Sequence, residues 1–124
     1  MCPDLDRENI LRCLGHAVRY FGKGHVTSNI IYGMGETHED LEKCMCQLCE
    51  IGVIPTVRSL RHNKYNGESL KKAIGEPAPV TPEEMVEVAR IHKDVLSRYG
   101  MDTRTCKTMC LECGCCDLVP FRDL

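Results

Sequence analysis

Apolar residues recur at helical spacing in three stretches of the chain, and between these they run together in two shorter ones. Ile10, Leu11, Leu14, Ala17, Val18 and Phe21 share one face of a predicted helix that Asp6 opens and Gly22 and Gly24 end. From His25 to Tyr32 the pattern changes. Ile30, Ile31 and Tyr32 form a run rather than an alternation, which predicts a parallel strand covered on both faces. Thr37, with Asp40 three residues on, opens a second helix to Ile51; Leu41, Cys44, Met45 and Leu48 make its stripe, and Gly52 closes it. Val53 to Leu60 predicts a second strand, with Pro55 near its start. After Glu76-Pro77-Ala78-Pro79 breaks the chain, Thr81-Pro82-Glu83-Glu84 is a capping box with proline at the first helical position. Met85, Val88, Ala89, His92, Val95, Leu96 and Tyr99 form the inner face of that helix, where His92 reads as a core-edge histidine, and Gly100 stops it.

This order is one βαβ unit with flanking helices, so the expected class is α/β, with parallel strands joined by crossover helices. Two parallel strands do not make a stable sheet by themselves. The pattern therefore predicts a segment of a (β/α) barrel rather than a complete sheet.

Composition narrows this only slightly. A chain of 124 residues, 43% of them apolar, is one domain by length and buries roughly two-thirds of its unfolded surface. The net charge is −2 and no basic stripe alternates with aromatics, so nucleic acid is not an expected partner. No run reaches the ~18 apolar residues of a membrane span. Met1 to Asp6 has neither a basic region nor an apolar core, so no leader peptide is expected there. A reducing, cytoplasmic location follows as the expectation. In it, ten cysteines read as metal or cluster ligands rather than disulfides.

The candidate chemistry sits at two places. The first is Ser28-Asn29-Ile30-Ile31-Tyr32-Gly33-Met34-Gly35-Glu36-Thr37, where a strand ends at two glycines and a helix begins at once. New helical N–H groups just past the carboxyl end of a parallel strand lie where α/β proteins bind ligands. An unliganded βα loop has the same spacing. The residues match neither the dinucleotide-binding fingerprint nor a P-loop. Asn29 to Glu36 does resemble the strand-five motif G-x-I-x-G-x-x-E of radical S-adenosylmethionine (SAM) enzymes, matching at Ile31, Gly33 and Glu36, with Asn29 in place of the first glycine. Gly35-Glu36-Thr37-His38-Glu39-Asp40 is similar to the G-E-[ST]-x-x-D stretch of the biotin synthase-like branch.

The resemblance covers about Asp6 to Met101, the last third or so of that family's partial barrel. It implies that Ile31 packs on the adenine of SAM while Gly33, Gly35 and Glu36 shape the turn around it. The polar loop from Arg61 to Gly67 corresponds to the one after strand six. Gly67-Glu68-Ser69-Leu70 resembles the G-[ST]-P-L that closes that loop, which makes Arg58, Arg61 and His62 candidate substrate contacts. The family's glycine-rich strand and the C-x3-C-x2-C loop after its first strand belong to the part of the barrel that the resemblance does not cover; Cys106-x3-Cys110-x2-Cys113 has the same spacing but follows the last helix, with Glu112 before its last cysteine, and reads as an auxiliary site instead. A missing N-terminal half-barrel, or self-association, is thus an expected partner, together with a small-molecule substrate and a reducing electron donor. No general acid, base or nucleophile stands out, so no catalytic residue is assigned.

The second place is the tail. Five cysteines, Cys106, Cys110, Cys113, Cys115 and Cys116, fall within eleven residues. Thiolates are soft ligands, and a short loop carrying several of them wraps one metal centre. Consecutive ligands are closer to ferredoxin-type runs than to the paired spacing of structural zinc, so an auxiliary [4Fe–4S] cluster is the expected cofactor and zinc the alternative. Cys115 and Cys116 both remain open as the fourth ligand. The expected division is residues 1–101 as barrel segment and 102–124 as cysteine-rich tail. Elsewhere, Cys13 and His16 read as packing and surface residues and Cys44 as core, while Cys46 and Cys49 stay undecided.

Overall fold

Of the four helices of eight residues or more, three begin at a residue whose side chain takes up an otherwise unpaired amide. The Asp6 carboxylate accepts from the Glu8 amide at 3.2 Å and opens α1 (Arg7–Phe21). These features belong to a computed structural model that describes residues 6–76 and 78–124, the side chains of Met109 and Cys110 excepted. Strand β1 (Val26–Tyr32) leads through the glycine turn into α2 (His38–Glu50), and β2 (Val53–Ser59) follows. Both halves of the α2 capping box are made. Thr37 Oγ1 accepts from the Asp40 amide at 3.1 Å, and Asp40 Oδ2 accepts from the Thr37 amide at 3.4 Å. Hydrogen bonds from Thr37 hold the Asp40 carboxyl below its ordinary range. Thr37→Ala is expected to lower stability by about 1 kcal/mol in urea unfolding. It should also let the Asp40 carboxyl titrate higher by NMR.

The exception is α3 (Gly67–Ile74), which the sequence pattern did not predict. Asn66 caps it without a side-chain bond. Just upstream, Asn63 Oδ1 accepts from the amides of Tyr65 and Asn66 at 2.8 and 3.0 Å and turns the chain into the helix. The expected loop is therefore shorter, from Arg61 to Asn66. The longest helix, α4 (Pro82–Arg98), has its expected cap, with Thr81 Oγ1 accepting from the Glu84 amide at 3.2 Å. A 3-10 turn (Thr103–Thr105) and α5 (Met109–Cys113) complete the chain.

The sheet has two parallel strands, β1 and β2, registered from Val26 opposite Val53 to Tyr32 opposite Ser59. The fold is thus mixed α/β with one βαβ unit. Alternation along the strands puts Ile30, Tyr32, Pro55 and Val57 on one face, and Asn29, Ile31, Thr56 and Arg58 on the other. On the first face lies most of the core, where Tyr32, Met45, Val57, Val88, Val95 and Leu96 belong to one buried cluster, which also takes in Ile54 from the second face. Cys106, Leu111 and Val119 of the tail enter that same cluster.

Three expectations need correction. Ile31 is 48% exposed, so β1 is not covered on both faces at that position. No residue of α1 is buried, and Phe21 on its expected inner face is 64% exposed. Cys44 is only half-buried. Cys49 is instead the core thiol of α2, and burial pushes it up to about 12.

Candidate functional site

The glycine turn closes on itself. Gly33 and Gly35 have φ of 111° and 103°, a region that L side chains avoid. The bend folds the Glu36 carboxylate back beneath them. Its two oxygens accept from the Gly33 and Met34 amides, each at 2.8 Å. An internal carboxylate thus occupies the amides that an anionic ligand would use, and the turn presents apolar and carboxylate surface instead. Tyr32, at the end of β1, donates its hydroxyl to Glu84 Oε1 at 2.6 Å and ties the turn to the start of α4. Burial, followed by that bond, raises the Tyr32 hydroxyl to about 12. Between the turn and the segment before α4 lies an open cavity of about 350 Å3, lined by Gly33, Gly35, Glu36, Val80 and Glu84 among others.

Ile31 does not reach that cavity. It alternates to the opposite face from Tyr32 and lines a second one, of about 310 Å3, with Arg58, Leu60, Arg61, Asn66 and Asp117. Of the four expected cofactor residues, the structure brings Gly33, Gly35 and Glu36 together and sets Ile31 across the sheet from them. Its neighbours there include Arg58 and Arg61, two of the three expected substrate contacts. His62 is exposed in the following loop.

Hydrogen bonds tie the tail to itself and to the rest of the fold. Thr103, fully buried, donates its hydroxyl to the Pro120 carbonyl and joins the two ends of the segment. Arg122 reaches the Glu112 carbonyl at 2.9 Å, Lys93 of α4 reaches the Leu124 carbonyl at 2.9 Å, and Arg61 reaches the Cys116 carbonyl at 3.5 Å. The thiols take different places within this frame. Cys106 is fully buried with its Sγ 2.8 Å from Thr108 Oγ1, Cys113 and Cys115 are exposed, and Cys116 is half-buried. The Cys110 side chain lies outside the described residues. The donor chemistry suits a thiolate-bound centre, yet among the described residues no three His, Cys, Asp or Glu side chains stand together as a metal-binding group. A cluster on these ligands therefore needs the tail to rearrange so that they converge.

Sequence reasoning missed two groups beside the tail. His92 of α4 is 2% exposed, and its ring donates to the Pro55 carbonyl while Nε2 has no hydrogen-bond partner. Asp117 stands near Arg58 and Arg61, and burial raises its carboxyl against the pull of those charges. A histidine in the middle of the α4 apolar stripe was the available signal for the first. Nothing in the local pattern marked the second, because the folded tail alone brings it to β2.

Comparison with known proteins finds no matching family model, no matching curated protein and no matching solved structure. No helix among the described residues is long and apolar enough to cross a membrane.

Proposed function

We propose that this chain supplies the closing strands of a radical SAM-type (β/α) barrel of the biotin synthase-like kind. In this reading it contributes part of the adenine pocket of SAM and carries an auxiliary iron–sulfur site in its tail. The observation that carries the reading is a parallel strand pair whose crossover helix starts at the glycine turn, with Ile31 left half-exposed on the open face. A flat, apolar adenine is the kind of group that such an exposed side chain recruits. In the complete enzyme, SAM and a reduced cluster supply a 5′-deoxyadenosyl radical that removes hydrogen from a substrate. This chain's share is to bind and orient. Ile31 packs the base, Glu36 stiffens the turn, and Arg58 and Arg61 face the space beside it.

The tail is tested by colour. Anaerobic reconstitution with iron and sulfide is expected to give a brown protein absorbing near ~400 nm. Cys110→Ala or Cys113→Ala should abolish the colour, and Cys115→Ala should do less, because an adjacent thiol substitutes for it. Stoichiometric zinc and a colourless solution would decide for zinc. The barrel reading is tested by titrating SAM into 15N-labelled protein, where shifts are expected around Ile31 and Arg58. The chain alone is not expected to form 5′-deoxyadenosine with dithionite, and its formation would overturn this division of labour.

A second reading is a small non-catalytic metal-binding module for electron transfer or assembly. The tail's integration into the single core favours it. Metal binding with no SAM-dependent shifts would select it.

A further inference from the structure

On the face of the sheet that carries Ile31, the strand register sets an apolar side chain beside a guanidinium: Ile31 of β1 stands opposite Arg58 of β2. Opposite side chains across a strand pair lie close enough to touch one ligand. The Leu60 amide donates to the Tyr32 carbonyl at 2.8 Å and prolongs the pairing by one rung, so Arg61 leaves the sheet at that same end. Asn66 holds the loop there by donating its side-chain amide to the Arg61 carbonyl at 3.0 Å. Ile31, Leu60 and both arginines line one open cavity of about 310 Å3, at the lower end of the ~300–1,000 Å3 usual for small-molecule sites. The charge in its wall is unbalanced, since two guanidiniums face the one carboxylate of Asp117. Arg61 also reaches the Cys116 carbonyl, but at 3.5 Å, the outer limit of a hydrogen bond. Asp117 holds its place at a cost, because burial raises its carboxyl while Arg61 and Arg58 pull it down. It lies outside helix and strand, and with Arg58 it also borders a void of about 20 Å3 at His92. It can therefore yield without breaking an element.

We propose that this cavity binds a small carboxylic acid with an apolar body, its carboxylate taken by Arg58 and Arg61 in place of Asp117 and its body laid on Ile31 and Leu60. Guanidinium forks match a carboxylate in shape and charge, and Asp117 is the internal carboxylate that stands in for it. The incoming acid makes the same polar contacts and adds an apolar one, which Asp117 is too short to make. A phosphate would bring a second negative charge towards Asp117 and leave Ile31 and Leu60 unused. The inference deepens the proposed function by naming its substrate class, and rests on that reading only for what is done to the acid. In it, Ile31 stands between the adenine and the acid.

The test titrates the full chain, isotope-labelled for NMR, with sodium hexanoate against sodium chloride of the same ionic strength. Saturable shifts are expected at the Ile31 and Leu60 methyls and at the Arg58 and Arg61 Nε–H groups. Hexanamide has the same body without the charge and should bind at least about 10-fold more weakly. Arg58→Gln and Arg61→Gln should each weaken hexanoate binding by about 10- to 100-fold, the worth of a hydrogen bond between charged groups. Asp117→Asn should tighten it, because the competing carboxylate is gone. A merely structural role for Asp117 would not give that direction. Hexanoate without a saturable shift, equal affinity for hexanamide, tighter binding of inorganic phosphate, or weaker binding in Asp117→Asn each overturns the proposal. Should Arg58→Gln fail to fold by circular dichroism, Arg61→Gln, on the exposed loop, decides. Adenosine carries the base without a carboxylate and tests the underlying reading separately. Hexanoate shifts without adenosine shifts would keep the carboxylate site and remove the adenine pocket.

Discussion

Acidifying the metal-free chain from pH 7 to pH 4 is expected to remove about 3 kcal/mol of its stability through one residue, His92. Burial pushes the imidazole down from 6.5 to about 4, opposed only in part by its bond to the Pro55 carbonyl. The unfolded chain therefore takes up a proton near pH 6.5, while the folded chain holds the ring neutral until about pH 4. With the folded value depressed, the stabilisation is complete above 6.5, declines as pH falls, and is gone below about 4. The neighbours act in both directions. Arg58 on the same cavity disfavours an imidazolium, whereas the Asp117 carboxyl would welcome one. Asp117 itself, raised by burial, contributes the opposite slope near the acid end, because the folded state prefers it protonated. Urea unfolding with a chelator present at pH 7, 5.5 and 4.5 reads the effect. His92→Gln should flatten the curve over that range, and an unchanged slope in the variant would assign the loss to other groups.

The second large effect is expected at Gly33. An alanine there meets two separate costs. The φ of 111° lies where a Cβ strains the backbone, and the added carbon would stand 2.6 Å from Val80 Cγ2 and 3.4 Å from Leu60 Cβ. Strain of about 1–3 kcal/mol and overpacking of about 1–3 kcal/mol together predict a loss of roughly 2–6 kcal/mol. Gly35 provides the control, since its φ of 103° is equally unfavourable but nothing lies within 4 Å of an added Cβ. Gly35→Ala should show the backbone term alone, about 1–3 kcal/mol. Val80→Ala opens the space that Gly33→Ala needs, so the double variant should be more stable than the sum of the two single losses. Full additivity in that cycle would mean that Val80 does not press on the turn. The same substitution should disturb the paired bonds from the Gly33 and Met34 amides to Glu36, and with them the wall of the cavity beside the turn.

The elements were differently legible from the sequence, and the differences follow from how far each signal reaches. The Thr37 and Thr81 caps, the β1 and β2 runs and the parallel βαβ order depend on residues within one turn or one strand of each other, so a linear reading captures them. Helix α3 escaped because its start has no capping side chain of its own and relies on a turn made by Asn63. The glycine turn was visible as a motif. That its amides are already taken by Glu36, and that Ile31 faces away from it, follow from backbone angles and strand alternation, which the motif does not carry. For the tail, the sequence alone established a dense set of soft ligands. Only the tertiary structure decided that Cys106 is sunk in the core, that Cys113 and Cys115 face solvent, and that Cys116 and Asp117 come to His92. Residues 92 and 116 lie on separate elements, and their meeting depends on the tail folding back along α4, a long-range packing outcome to which local spacing is blind.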